Sequence, residues 1–346
     1  MRTMAIIFLF IIFFSCEKEN IKITDTTKQI YSEWIVYESI EGYVYFKPTS
    51  LALNSVNEIF FSAFVRKDWN SSDYSTFHYD NNTIKEIDTS LFFKDYNILE
   101  GGTYREKIRF NSELMFVEYN RKDNYPFVSN LINKQRSSPH QVDSKGNIWI
   151  ASENYHFSDY DGIQMYDGKN WQVFFSGSDF WSLCFDQSGS LYASTSPDFD
   201  EPGVVMKYDS NKWDTVLICS GPAKWIPCMH FDNVNNLWCG VLSRNAIAPE
   251  SGDGLYKYDG KKITHYHMGN SELPSNSVVD IAIDKYNNKW IATYSGGLTK
   301  LTTDGVWKTF NSENTPMTNL SVECVIVDNN DYVWFADDSG LTKFKE

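Results

Sequence analysis

Residues 273–310 read LPSNSVVDIAIDKYNNKWIATYSGGLTKLTTDGVWKTF. Val279, Ile281 and Ile283 alternate with Asp280 and Ala282, the period-2 signature of a strand. Residues 284–288, Asp-Lys-Tyr-Asn-Asn, form a turn. An aspartate can hydrogen-bond its own backbone there, and asparagine tolerates the left-handed conformation. Trp290 to Thr293 is a second strand, Ser295-Gly296-Gly297 turns the chain, and Leu298 to Leu301 is a third. Asp304-Gly305 reads as a tight hairpin turn leading into a fourth strand that ends at Phe310. Four strands joined by short turns make an antiparallel meander. One such sheet leaves both faces wet, so it requires neighbours.

The neighbours are weaker copies of the same stretch. Asp143, Asp186, Asp232, Asp284 and Asp328 each precede an aromatic residue by six positions: Trp149, Tyr192, Trp238, Trp290 and Trp334. Successive aspartates are 43, 46, 52 and 44 residues apart. Downstream of each lies a third-strand pattern opened by Gly162, Gly203, Gly254, Gly297 or Gly340. A fourth strand follows with Trp171, Trp213 or Trp307, and with Ile263 in that role after Gly254. Asn54 and Phe60 fit the same frame, 89 residues before Asp143, which leaves room for one degenerate copy between them. That copy is expected to use residues 107–110 and 114–119.

Seven units of four strands at this period mark an all-β, seven-bladed β-propeller of four-stranded antiparallel blades. The last unit stops after its third strand at Phe344, while residues 33–37, Glu-Trp-Ile-Val-Tyr, form an orphan strand before the first. The simplest closure makes Trp34 to Tyr37 the outer strand of the final blade, with residues 31–346 as the propeller.

The stretch LPSNSVVDIAIDKYNNKWIATYSGGLTKL resembles the repeat of the two-component-regulator propeller family, whose pattern runs Leu-Pro, Val, Asp, Gly-Asn, Trp, Thr, Gly-Gly-Leu. Five copies over about residues 140–346 carry the resemblance. Residues 31–139 match only in spacing and strand order. In that family such blades form the periplasmic sensing part of large hybrid kinases. Here no kinase, membrane helix or DNA-binding module accompanies them, so the resemblance implies extracytoplasmic recognition rather than signalling.

At the N-terminus, Arg2 and the unbroken apolar run 4–14 have signal-peptide proportions, too short to span a bilayer. Phe13-Phe14-Ser15-Cys16 resembles a bacterial lipobox, with Phe13 where leucine is usual. The resemblance implies cleavage after residue 15 and lipidation of Cys16. Several acyl chains on that cysteine would anchor the chain stably to a membrane. Ser-Cys-Glu-Lys-Glu also resembles the start of lipoproteins from the Bacteroidota, which implies an outer-membrane lipoprotein facing the periplasm or the cell surface. Residues 16–30 are polar and read as a tether.

The chain has 346 residues and a formal charge of −14, which disfavours nucleic acid and anionic lipid heads as partners. Five cysteines follow Cys16: Cys184, Cys219, Cys228, Cys239 and Cys324. Four fall in expected strands, where buried thiols are common, and a Cys219–Cys228 bridge is open. No spacing suggests zinc, and no cofactor is implied. The clustered Asp and Asn of each turn resemble oxygen-rich calcium loops, yet they recur in every unit. Asp143, Asp186, Asp232, Asp284 and Asp328 are therefore read as turn formers.

Function is expected where the copies differ, in the loops between second and third strands. Residues 153–161 and 196–202 are long, acidic and aromatic, and 242–252 is a third such loop. Tyr155, Tyr160, Phe199, Trp181 and Trp225 could stack on a sugar or a protein partner, with Asp198, Asp200 and Asp159 accepting hydrogen bonds. The competing reading is of solvated loops whose aromatics tuck back onto the sheets. His156, beside Asp159 and Asp161, is the one acid–base cluster within a loop. His140 and His230 fall on inner strands, packed or lining the channel. His265 and His267 share a face of an outer strand as ordinary surface residues. The leading expectation is a lipid-anchored binding propeller for a glycan, peptide or protein; the alternative is a lyase or hydrolase with a His–carboxylate or metal site at the channel mouth.

Overall fold

A computed structural model of the chain describes residues 22–23, 25–31, 34–40, 42–53, 57, 59–70, 73–80, 83–86, 97–99, 103–105, 109–110, 115–116, 140–151, 162–167, 170–176, 180–195, 201–209, 211–243 and 249–346. All regular structure among them is β. Five sheets are named here by their turn aspartate. The Asp143 sheet orders His140–Val142, Ile148–Ala151, Gly162–Tyr166 and Trp171–Ser176. The Asp186 sheet orders Phe180–Phe185, Leu191–Thr195, Val204–Asp209 and Lys212–Ile218. Lys224–Phe231, Leu237–Ser243, Gly254–Tyr258 and Ile263–Tyr266 make the Asp232 sheet, and Val278–Ile283, Lys289–Thr293, Gly297–Leu301 and Trp307–Phe310 the Asp284 sheet. A first sheet, before these, holds Tyr45–Leu53, Ile59–Arg66, Asp73–Asp80 and Thr83–Glu86.

The Asp328 sheet is assembled from both ends of the chain. Val322–Val327, Val333–Asp337 and Gly340–Phe344 are continued by Trp34–Ile40, in the register Trp34 to Phe344 and Tyr37 to Leu341. Trp34 stacks on Phe344 with centroids 4.0 Å apart. Gly340 shows why this place in the motif is glycine. Its φ is 138°, and an added Cβ would meet the Tyr37 carbonyl oxygen at 2.1 Å. Gly297 stands in the same relation to the Phe310 carbonyl, so Trp34–Ile40 occupies the fourth-strand position found within the other sheets.

The turns are fixed by their carboxylates. In the Asp284 turn, Oδ1 accepts from the Tyr286 and Asn288 backbone N–H groups at 3.0 and 2.8 Å. Oδ2 accepts from Asn288 Nδ2 at 2.8 Å and Trp290 Nε1 at 3.2 Å. The Asp143, Asp232 and Asp328 turns repeat the indole bond, each at 3.0 Å. With both oxygens taken by N–H donors, the turn-forming role is met. Burial alone would raise the Asp143 carboxyl; the Trp149 and Asn147 hydrogen bonds outweigh it and hold it below the usual range. At Asp232, too, burial alone would raise the carboxyl; the Asn236 and Trp238 hydrogen bonds outweigh it and hold it below the usual range, with Lys289 Nζ, 3.1 Å away, adding to them.

The Asp186, Asp232, Asp284 and Asp328 turns also hook the next sheet. The third residue after the aspartate has positive φ, at Asn235, Asn287, Asp331 and Asn57. Its side chain receives a donor from the residue following the aspartate of the preceding sheet. Gln187 N reaches Asn235 Oδ1 at 3.0 Å, and Asn233 N reaches Asn287 Oδ1 at 2.9 Å. Lys285 Nζ meets Asp331 Oδ2 at 2.7 Å, and Asn329 N reaches Asn57 Oδ1 at 2.6 Å. The links therefore run from the Asp186 sheet through to the first sheet, and Asn57 confirms that the Asn54 unit belongs to the series.

The third-strand lysines have a place as well. Lys257, Lys300 and Lys343 pair across the ladder with Trp238, Trp290 and Trp334. Each ammonium lies 4.7–5.6 Å from its indole centroid. Between sheets the cores are apolar and continuous. Val278, Ile281 and Ile291 meet Trp238 and Leu255, and Trp290, Leu298 and Phe310 meet Phe335 and Phe344. Full burial of one such aliphatic or phenyl side chain contributes roughly 1.5–3 kcal/mol.

Two expectations change. Asp25–Tyr31, within the segment read as a tether, pairs with Trp34–Ile40, and Lys22–Ile23 pairs with Ile84 and Lys85 of the first sheet. An outer strand leaves an open edge of N–H and C=O groups, and the β-branched Thr26, Thr27 and Ile30 suit a strand laid along it. The degenerate unit is described as two hairpins: Asn97–Leu99 with Thr103–Arg105, and Arg109–Phe110 with Met115–Phe116. The second falls on the residues expected for it. All five cysteines after Cys16 are free and buried, so no Cys219–Cys228 bridge forms.

The turn carboxylate should dominate local stability. Asp284→Ala strands four N–H donors and is expected to cost about 3 kcal/mol, read from the urea midpoint of the full chain. Asp284→Asn, which keeps an acceptor oxygen, should cost about half as much. Equal midpoints for wild type and Asp284→Ala would refute the role.

Candidate functional site

First strands of successive sheets approach one another, so they form the inner wall. Each of five first strands carries a bulge near its start: between Pro48 and Ser50, Phe180 and Ser182, Trp225 and Cys228, Val278 and Asp280, and Val322 and Cys324. A bulge adds a residue and re-aims its side chain. The added residues include Trp181 and Glu323, so chemically different groups occupy equivalent places near the loop-bearing end of the wall.

Trp181 and Trp225, on adjacent first strands, stack with centroids 4.6 Å apart and planes 12° from parallel. Trp181 Nε1 is buried and has no hydrogen-bond partner among the described residues. Next to the pair, Lys224 Nζ donates to the Ser251 carbonyl at 2.6 Å and ties the link between sheets to the loop before Gly254. Across the wall, Lys47 bridges Glu323 at 3.2 Å and pairs with Asp338. Burial alone would lower the Lys47 ammonium; the hydrogen bonds and charges of Asp338 and Glu323 outweigh it and raise it.

Asp280 spans three first strands. Its Oδ1 accepts from its neighbour Ile281 N at 2.9 Å. Its Oδ2 accepts from Val325 N of the next sheet, also at 2.9 Å, which satisfies a backbone donor on an otherwise unpaired strand edge. His230 Nε2, on the preceding sheet, lies 3.9 Å from Oδ1, too far for a hydrogen bond. The His230 side chain is 47% exposed and Asp280 24%, although both sit deep among protein atoms. Burial lowers the His230 imidazole to about 4. Burial also lifts the Asp280 carboxyl to about 6, against the two backbone hydrogen bonds that pull it down. At neutral pH the pair is a neutral imidazole beside a carboxylate.

Of the expected site residues, the structure brings together Trp181 and Trp225 and sets His230 on the wall. His140 begins the first strand of the Asp143 sheet. Tyr155, His156, Asp159, Tyr160, Asp161, Asp198, Phe199, Asp200 and Cys16 lie outside the described residues. His265 stacks on Tyr256 at 4.1 Å, while His267 falls just past the strand, its Nδ1 accepting from Gly269 N at 3.0 Å. Sequence reading passed over Asp280. Its signal was present: Ser50, Ser182, Cys228 and Cys324 hold the same place after the bulge in the other sheets, and Asp280 is the one carboxylate in that column.

No protein-family model and no curated protein matches the chain. Solved structures match in fold. A streptogramin B lyase structure aligns over 86% of this chain and 92% of its own, with a TM-score of 0.56 at 12% identity. The extracellular domain of what is described as a hybrid two component system of B. thetaiotaomicron aligns over 91% of this chain and 40% of that one, with a TM-score of 0.54 at 13% identity. YCF48 bound to D1 peptide aligns over 94% and 98%, with a TM-score of 0.51 at 13% identity. The fold is a β-propeller.

The Asp280 shift has a sign. A folded carboxyl at about 6, above its ordinary 3.8, favours folding at low pH, and that stability is lost as pH rises through 6. Asp280→Asn should therefore stabilise the chain at pH 7.5 relative to pH 4.5, by up to about 2 kcal/mol in urea unfolding. The same difference between variant and wild type at both pH values would show that the carboxyl is not perturbed.

Proposed function

We propose that this chain is an extracytoplasmic, lipid-anchored propeller of seven blades that binds a ligand or partner through the loop-bearing mouth of its channel. The observation that carries the reading is the stacked Trp181–Trp225 pair at that mouth, with one indole N–H left over for an acceptor. Broad aromatic surface with a polar handle suits a sugar face or a peptide. Six described sheets, with two hairpins standing between the first sheet and the Asp143 sheet, support seven blades in a closed ring. On this reading the loops 153–161, 196–202 and 242–252 would form the variable rim. The resemblance of residues 13–16 to a lipobox supports Cys16 as the anchor and an outer-membrane location. The peptide-bound YCF48 is a precedent for recognition on this fold, and the B. thetaiotaomicron extracellular domain one for its place outside the cytoplasm.

Trp181→Ala and Trp225→Ala test the mouth. Against a glycan array and in pull-downs from envelope extract, each should weaken by at least tenfold whatever the wild type captures, with unchanged thermal unfolding. Capture that both variants leave intact would remove the pair from the site. Cys16→Ala should move the chain from the membrane to the soluble fraction; a variant that stays with membranes would refute the anchor.

A second reading, lyase or hydrolase, is favoured by one observation: His230 and Asp280 bring a neutral imidazole and a carboxylate together on the wall. A neutral imidazole beside a carboxylate can serve as a general base. A screen of cyclic and linear esters should then show turnover that His230→Gln reduces by at least a hundredfold. Equal rates for both proteins would end this reading.

A further inference from the structure

The channel wall holds a carboxylate that no described cation neutralises. Asp280 has no lysine or arginine in salt-bridge range among the described residues. The titratable groups facing it are His230 and Cys228 on the preceding sheet and Cys324 on the next. Burial raises both thiols well above their ordinary range, so they stay neutral. Two backbone N–H groups use part of the carboxylate's capacity, and each oxygen keeps room for another donor. About a quarter of the side chain is open, so a molecule in the channel can supply that donor.

The surroundings define what would pair. His230 Nε2 and Asp280 Oδ1 are 3.9 Å apart, too far to bond each other. A single N–H-bearing nitrogen can sit about 2.9 Å from both. Nearly half of the His230 side chain is open, so there is space beside the pair. We propose that Asp280 and His230 form a binding site for a protonated organic amine. The carboxylate supplies the charge and the imidazole a second acceptor. A divalent metal fits poorly. Calcium and magnesium require six or more oxygen ligands, and among the described residues no three His, Cys, Asp or Glu side chains are placed to hold a metal ion.

This goes beyond recognition by the rim loops and stands or falls separately from it. The test titrates the full chain by calorimetry at pH 7.5 with benzylamine, using benzyl alcohol as its neutral twin. Benzylamine should bind saturably, at least tenfold tighter than the alcohol. Asp280→Asn should lose that preference. Asp280→Ser, which installs the residue found at Ser50 and Ser182, should lose it too, so a folding defect in one variant leaves the test intact. His230→Phe should weaken benzylamine by several-fold and leave the alcohol unchanged. Binding should also fade at pH 5, where Asp280 takes up a proton. Equal affinity for amine and alcohol, or an unchanged preference in both Asp280 variants, overturns the proposal. So does displacement of benzylamine by millimolar magnesium, which would make the site an inorganic one.

Discussion

The hydrogen bond from an indole N–H to a turn carboxylate, six residues back, is the constraint on which the sheets depend. A buried indole needs an acceptor, and a buried carboxylate needs donors. Each solves the other's problem, and the two backbone N–H groups on the second oxygen fix the turn between first and second strands. Once the turn is set, the register of the hairpin follows, and the tryptophan is delivered to the interface between sheets. Lysine from the third strand then covers the same ring from the adjacent ladder position. One carboxylate thereby coordinates three strands.

That economy explains what could be read in the chain before its structure. The six-residue interval is conspicuous because it is a physical reach rather than a preference, and so it survives where the intervening residues vary, as from Lys-Tyr-Asn-Asn to Asn-Val-Asn-Asn. The glycines Gly254, Gly297 and Gly340, which open third strands, are equally legible, because the fourth strand's carbonyl leaves no room for a Cβ. The pairing of Trp34–Ile40 with the last sheet followed from counting strands. The added strand Asp25–Tyr31 did not, because its sequence, Asp-Thr-Thr-Lys-Gln-Ile-Tyr, carries no apolar alternation.

The site was less legible. Trp181 and Trp225 stood out as aromatics in links between sheets, but their contact depends on two bulges that shift the strands' phase. A sequence shows which residues alternate; a bulge changes which of them turn toward the axis. Asp280 was hidden for a related reason. On a strand diagram it is the polar half of an alternating pair and belongs to solvent. In the assembled wall it is folded across a strand edge against its neighbours. Chemistry here arises where one copy breaks a column that the others keep.

The asparagine links between turns bear on how such a chain could come to exist. The Asp232, Asp284 and Asp328 turns each present a donor on one side and, at Asn235, Asn287 or Asp331, an acceptor on the other. Each is plug and socket at once. A duplicated unit inserted anywhere in this run would meet complementary partners on both flanks without further substitution. Growth by copying is therefore chemically permitted along that arc. Gly146 and Gly189 keep the left-handed backbone of the socket but lack its side chain. A copy placed ahead of the Asp143 or Asp186 sheet would find no hook. The hook between neighbouring turns is thus set by a single side-chain position three residues beyond each aspartate.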